Sequence, residues 1–402
     1  LKIIRQAMEI FVPYLYLYTF VILTFILIKA YMHSKYGNGK YMNLANTVKA
    51  QALDNKWFIL YAVIVGMFIC TRKVTVGTDT QTYVAFYNDP LFYYAGDKTD
   101  PLFELIGRLL HSIYVNDQFF IFTLSLLYCL GLFFIINKTS KNKTYSILLF
   151  IISGTSSITL FLYLSMIRQC TAMTFYFFSL YFLFVSASRK KQKYFFATLF
   201  YVAAILTHKS VAFALPFILF VYFKPLKKKT WTILILLTYV LSALNISYVN
   251  SILNFASDMF DLGRYEGYAN VSFGEIEYKG WFNMDLLPFM GLSFLLMWLA
   301  KKDEIKNWIY QLFLWGTVMN NLFYNNLMWS RLVLYLTIFS IIAIPNILYN
   351  KKTSIQVCSF VPILGYYLYK TSSQLIGQVS FLATGNLVIP YHSWLFDPIF
   401  GW

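Results

Sequence analysis

Residues 118–137 read QFFIFTLSLLYCLGLFFIIN, twenty residues without a charge, and Lys138, Lys141 and Lys143 follow directly. About twenty apolar residues cross the hydrocarbon core of a bilayer as a helix, and lysines gathered at one end mark that end as cytoplasmic. The pattern repeats outward from this run. Further apolar stretches lie at about 10–30, 57–71, 145–163, 170–188, 194–207, 210–223, 231–249, 284–300, 307–327, 331–349 and 354–369, which makes twelve. The composition agrees, since 59% of the 402 residues are apolar and 12% charged, against about 25% charged in soluble domains. The expected fold class is an all-α polytopic membrane protein, one integral domain over residues 1–402 with about 12 transmembrane helices and outer-face loops that carry short helices. The first apolar run is too long for the core of a signal peptide and no small-residue cleavage pattern follows it, so no signal peptide is expected.

The net charge of +16 is a topology signal. Lysine-rich clusters, Arg189 among them, fall between alternate stretches, at residues 35–56, 138–143, 189–193, 224–229, 301–306 and 351–352. With Lys29 they hold 21 of the 33 basic residues and three acids, net +18, which leaves net −2 for the other side. The positive-inside rule makes the clusters cytoplasmic, and a nucleic-acid partner is excluded. Both termini are then expected outside. The cysteines Cys70, Cys129, Cys170 and Cys358 share no CxxC spacing, so no disulfide framework or zinc site is expected.

Arginine is distributed differently from lysine. Of seven, only Arg189 is expected inside, whereas Arg5, Arg72, Arg108, Arg168, Arg264 and Arg331 fall outside. A guanidinium presents a rigid donor fork that matches phosphate bidentately, which points to an anionic ligand at the outer face. The competing reading for any one of them is an arginine that snorkels or pairs at a helix end.

Three outer segments have room for a site: residues 71–117, residues 250–285 and the tail at 370–402. In the first, Gly77 permits a bend and Thr78 or Asp79 can cap a helix over Gln81–Asn88. Asp79 therefore reads in two ways, as that cap or as a general base beside Arg72. Asp97 and Asp100 are the close acidic pair of this loop. Their polar surroundings read as solvated, and no metal or other cofactor is expected. In the second segment Arg264 and Tyr265 stand among Asp261, Glu266 and several aromatics, a lining suited to carbohydrate or to the membrane interface. The tail carries Tyr391, His392, Ser393 and Trp394 with the same ambiguity.

Ionisable residues also interrupt the apolar stretches. Arg168 with Gln169 opens one of them with no acid within several residues, and an Arg at such depth is costly unless something anionic meets it. Arg331 is similar, with Asn320 and Asn321 on the preceding stretch. Those amides suit sugar hydroxyls or simply join helices. The piece Tyr194–Phe223 is long for one crossing and short for two, so it reads as a shallow hairpin whose tip, Thr207-His208-Lys209, faces a cavity.

The order of Arg72, Gly77-Thr78-Asp79 and Tyr83, then Met166-Ile167-Arg168-Gln169, His208-Lys209-Ser210, Arg264-Tyr265 and Arg331 resembles the EpsG-type branch of the Wzy-like polysaccharide polymerases over about residues 60–340. The resemblance implies a GT-C-like membrane glycosyltransferase of the bacterial cytoplasmic membrane, with its active site facing outward. It implies undecaprenyl-diphosphate-linked glycans as donor and acceptor, and a chain-length regulator as a candidate partner. Arg168 and Arg331 would hold the donor diphosphate, assisted by Arg72 and Arg264. Asp79 is the preferred base and His208 the second, with Gln169, Tyr83 and Tyr265 lining the substrate. A flippase of lipid-linked oligosaccharide and a membrane O-acyltransferase are the competing readings. The first wants charges along a central pore and the second a cytoplasmic histidine, for which His33 is the candidate.

Overall fold

The computed structural model describes residues 2–36, 44–77, 79–89, 100–152, 160–244, 280–283, 286–323, 327–349, 351–379 and 391–400. They are helical almost throughout. In chain order come α1 (Lys2–Tyr36), α2 (Leu44–Cys70), α3 (Thr80–Asn88), α4 (Pro101–Ile113), α5 (Asp117–Thr139), α6 (Lys143–Ile152), α7 (Leu160–Ser165) and α8 (Ile167–Leu180). A π turn, Tyr181–Val185, extends α8. It is followed by α9 (Lys190–Thr207), a 3-10 turn (Lys209–Ala214), α10 (Leu215–Phe223), α11 (Lys228–Ala243), α12 (Leu287–Leu299) and α13 (Lys302–Ile305). The last are α14 (Trp308–Phe323), α15 (Leu327–Thr337), α16 (Ser340–Leu348), α17 (Thr353–Val379) and α18 (Asp397–Phe400). Among the described residues the one antiparallel β-bridge joins Arg72 to Ser393.

Four helical segments among the described residues are long and apolar enough to cross a membrane, at Pro13–Tyr31, Val48–Cys70, Asp117–Thr139 and, through α15 and α16 together, Arg331–Leu348. The chain is a helical membrane protein. Among the described residues helix length does not yield the twelve crossings expected from hydropathy. The 194–223 piece breaks at His208, where φ −160° and ψ 112° are extended.

Two compact units divide the chain. Residues 1–210 with 348–402 form the first. In it α8 packs against α5 and α9. Gly131 of α5 admits the close approach of α8, since a Cβ there would stand 2.8 Å from the Thr174 side chain. Asp54 of α2 accepts the Lys143 amide of α6 at 2.9 Å, a cap supplied from another helix.

The tail lies over the start of the 71–79 loop. Tyr391 stacks on Phe68 with 3.9 Å between ring centroids and donates to the Phe68 carbonyl, while Thr71 and Ser393 share a hydroxyl hydrogen bond of 2.7 Å.

The second unit, residues 211–347, is organised on α14, which packs against α10, α11, α12 and α15. The Gln311 amide donates to the carbonyls of Leu226 at 2.9 Å and Ile305 at 2.6 Å, and accepts from the Leu226 amide at 2.9 Å. Asn321 donates to Ile235 O at 3.3 Å and Thr238 Oγ1 at 3.2 Å. Of the two readings open for that amide, the structure supports joining helices.

Candidate functional site

The site begins at Gly77. Its φ of +110° favours glycine, and a Cβ there would stand 2.1 Å from the Leu164 carbonyl oxygen. Only glycine lets the 71–79 loop lie against the α7–α8 junction in this way. Thr80 Oγ1 completes the contact by donating to Val76 O at 2.8 Å and Leu164 O at 3.3 Å. The result sets α3 beside the first turn of α8. The Arg168 guanidinium then lies 5.5 Å over the Tyr83 ring, a cation–π distance.

Asp100 arrives from a third direction. It precedes Pro101, the first residue of α4, but its side chain does not cap that helix. Instead Asp100 Oδ2 accepts Arg168 Nη1 at 2.7 Å and lies 3.6 Å from His208 Nδ1, while Oδ1 accepts the Lys209 amide at 3.3 Å. Asp100 is 2% exposed, Arg168 23% and His208 14%. Thus the start of α4, the start of α8 and the end of α9 meet on one carboxylate. An apolar cluster of Tyr83, Val84, Tyr87, Phe103, Leu110, Phe120 and Ile167 backs it.

Burial by itself would raise the Asp100 carboxyl. His208, Arg168 and the Lys209 amide outweigh it and hold the group below the usual carboxylate range. Burial pushes the Tyr83 hydroxyl up, against the pull of Arg168, so Tyr83 stays a donor at neutral pH. His208 Nδ1 is turned toward Asp100 but makes no hydrogen bond to it.

The expected site residues separate on this geometry. Arg168, His208 and Tyr83 come together, with Gln169 buried next to Arg168. Asp79 is half-buried at the N-cap of α3 and makes no side-chain cap bond. Its charge acts on the Tyr83 hydroxyl, so the capping reading lacks its hydrogen bond.

Arg72 makes its side-chain hydrogen bonds elsewhere. It is 0% exposed, and its Nη1 donates to Ile69 O at 2.8 Å, Ser125 Oγ at 2.6 Å and Tyr128 Oη at 3.2 Å. The tail covers it. Arg331 belongs to α15 of the second unit, and Arg264 and Tyr265 lie outside the described residues.

Asp100 is the residue that the loop's polar composition conceals. Its signal in the sequence was indirect: Arg168 needs a counter-charge, but 14 of the 17 acids stand outside the lysine clusters, so nothing singles Asp100 out. Among the described residues no three His, Cys, Asp or Glu side chains come together to hold a metal.

No curated protein and no solved structure matches the chain. The family model of the EpsG family matches residues 55–393, a range that includes α3, α4, α8, α9 and all four residues of the cluster. Membership of that family is consistent with a polymerase-type role in polysaccharide synthesis at a membrane, and with a length of match well over half of the 402 residues the chain belongs to the EpsG family.

Proposed function

We propose that this protein joins oligosaccharide repeat units carried on a polyprenyl diphosphate, by glycosyl transfer at the outer face of the bacterial cytoplasmic membrane and across a bundle of about 12 spans in a GT-C-like arrangement. The observation that carries the reading is the convergence of Arg168 and His208 on the buried Asp100. An acceptor hydroxyl oxygen attacks the anomeric carbon of the donor as the bond from that carbon to the diphosphate oxygen breaks. The hydroxyl proton goes to His208, whose Nδ1 lies 3.6 Å from the Asp100 carboxylate. The electron pair leaves with the diphosphate, whose growing charge Arg168 meets.

Fixed cationic donors aimed at developing charge supply much of the rate enhancement in reactions of this kind. Arg331 and Arg264 are further candidate contacts to the diphosphate, on the strength of the sequence. Asp79 is the alternative base. Its half-buried carboxylate near Tyr83, with no side-chain cap bond to occupy it, favours it.

The test is the pattern of lipid-linked oligosaccharides in cells that lack the gene and are complemented with wild type or Arg168→Lys. A ladder with wild type and single repeat units with Arg168→Lys, both on the outer leaflet, supports polymerisation. Repeat units trapped on the inner leaflet in the deletion strain would instead indicate a flippase.

A further inference from the structure

Helix α4 has an apolar sector wider than the other described residues of its unit cover. At about 100° per residue, Leu105, Leu109, Ile113, Ile106, Leu110 and Phe103 fill a continuous arc of roughly 160°. Phe103, Ile106 and Leu110 face the apolar cluster behind the site, whereas Leu105, Leu109 and Ile113 are exposed. Opposite them lie Glu104, Arg108, His111 and Ser112, with Arg108 Nη2 and Glu104 Oε2 3.9 Å apart. A helix of 13 residues is too short to cross a bilayer.

Its position places the exposed arc beside the end of a helix long and apolar enough to cross a membrane. Only Tyr114, Val115 and Asn116 separate α4 from α5, one of the helices long and apolar enough to cross a membrane. Tyr114 and Val115 are exposed. The junction is also fixed in place. Asn116 caps α5 by accepting the Phe119 amide at 2.9 Å, Tyr87 Oη donates to Tyr114 O at 2.6 Å, and Asn88 donates to Asp117 at 2.7 Å. A helix held beside the end of a span, apolar on one arc and charged on the other, has the pattern of an interfacial helix.

We propose that α4 seats Leu105, Leu109 and Ile113 in the bilayer leaflet at the Asp117 end of α5, at the boundary between headgroups and acyl chains, and so ties the Asp100 cluster to the membrane surface. The partner is the lipid surface itself. Asp100 stands one residue before this helix and holds Arg168 and His208, so the depth of α4 in the lipid sets the height of the cluster. A head group anchored in the same leaflet would meet the cluster at that height. The seating does not depend on the polymerase reading.

The test uses the full-length protein in phosphatidylcholine–phosphatidylglycerol vesicles. Cysteines labelled with an NBD fluorophore are placed at Leu105→Cys, Leu109→Cys and, as a reference on the charged side, Arg108→Cys, each in a Cys358→Ser background. Cys358 is exposed, and the other three cysteines are buried. The label at positions 105 and 109 is expected to emit to the blue and to be quenched by doxyl lipid rather than iodide, with the reverse at position 108. Iodide quenching at 105 and 109 equal to that at 108 would overturn the proposal. Protection of both positions from both quenchers would also overturn it, by showing that protein covers this face.

Discussion

Asp100 and Arg168, 68 residues apart in the chain, meet in a 2.7 Å ion pair on which the end of α9 also closes. The pair decides how the cluster responds to substitution. A carboxylate that is 2% exposed cannot lose its cation to water, and removing one partner of a buried pair typically costs about 3–5 kcal/mol.

Asp100→Asn should therefore destabilise the first unit by about 3 kcal/mol, the low end because Arg168 is partly exposed. The carboxyl is held below its ordinary 3.8. Its stabilising effect is thus complete above that pH and fades as pH falls through the lower folded value. In thermal melts of the purified protein the gap between wild type and Asp100→Asn should be constant from pH 5 to 8 and close below about pH 4. A gap that widened with acid would contradict the pairing.

Arg168→Lys keeps the charge and loses the planar fork. Polymer yield should fall by roughly 10²-fold, the scale for loss of one charge-stabilising donor, while the protein still inserts. Arg108→Lys, on the exposed side of α4, should leave yield unchanged in the same assay.

Gly77→Ala should disrupt the site from outside it, because its Cβ would meet Leu164 O at 2.1 Å in a backbone conformation with φ +110°. Strain of this kind costs about 1–3 kcal/mol before the clash is counted. Gly107→Ala is the control, since its Cβ meets nothing within 4 Å. In a helix interior that change should stabilise by about 0.5–1 kcal/mol. Melting temperature and polymer yield measured together separate the two outcomes.

The tail should matter through packing rather than charge. Tyr391→Ala removes the ring stacked on Phe68 and should cost about 3 kcal/mol. Lys73→Ala breaks the 2.7 Å pair with Asp397, but the Lys73 side chain is 46% exposed, and such pairs are worth about 1 kcal/mol or less. Equal losses in thermal melts of the two variants would place the tail's hold in the ion pair.

What was legible in the sequence was mostly local. The bend at Gly77, the helix over Thr80–Asn88 and the break at His208 all follow from residues that act on their own neighbours. Arg168 also announced itself as a cation in need of an anion, but the anion found is internal. Asp100 was hidden because a loop's composition does not say which helix end will turn over it. Arg72 read as an outer-face arginine since it follows the apolar run of α2. The cover that buries its surroundings, Tyr391 and Ser393, is more than 300 residues further along, and no periodicity reports a contact of that range.

The most direct test of the central claim is polymer formation by the reconstituted enzyme from a lipid-linked repeat unit, compared between His208→Gln and Asp79→Asn. With His208 as the base beside Asp100, His208→Gln should still bind the lipid-linked donor and form no ladder, while Asp79→Asn forms one. A normal ladder from His208→Gln would contradict the account, and its loss in Asp79→Asn alone would assign the proton transfer to Asp79.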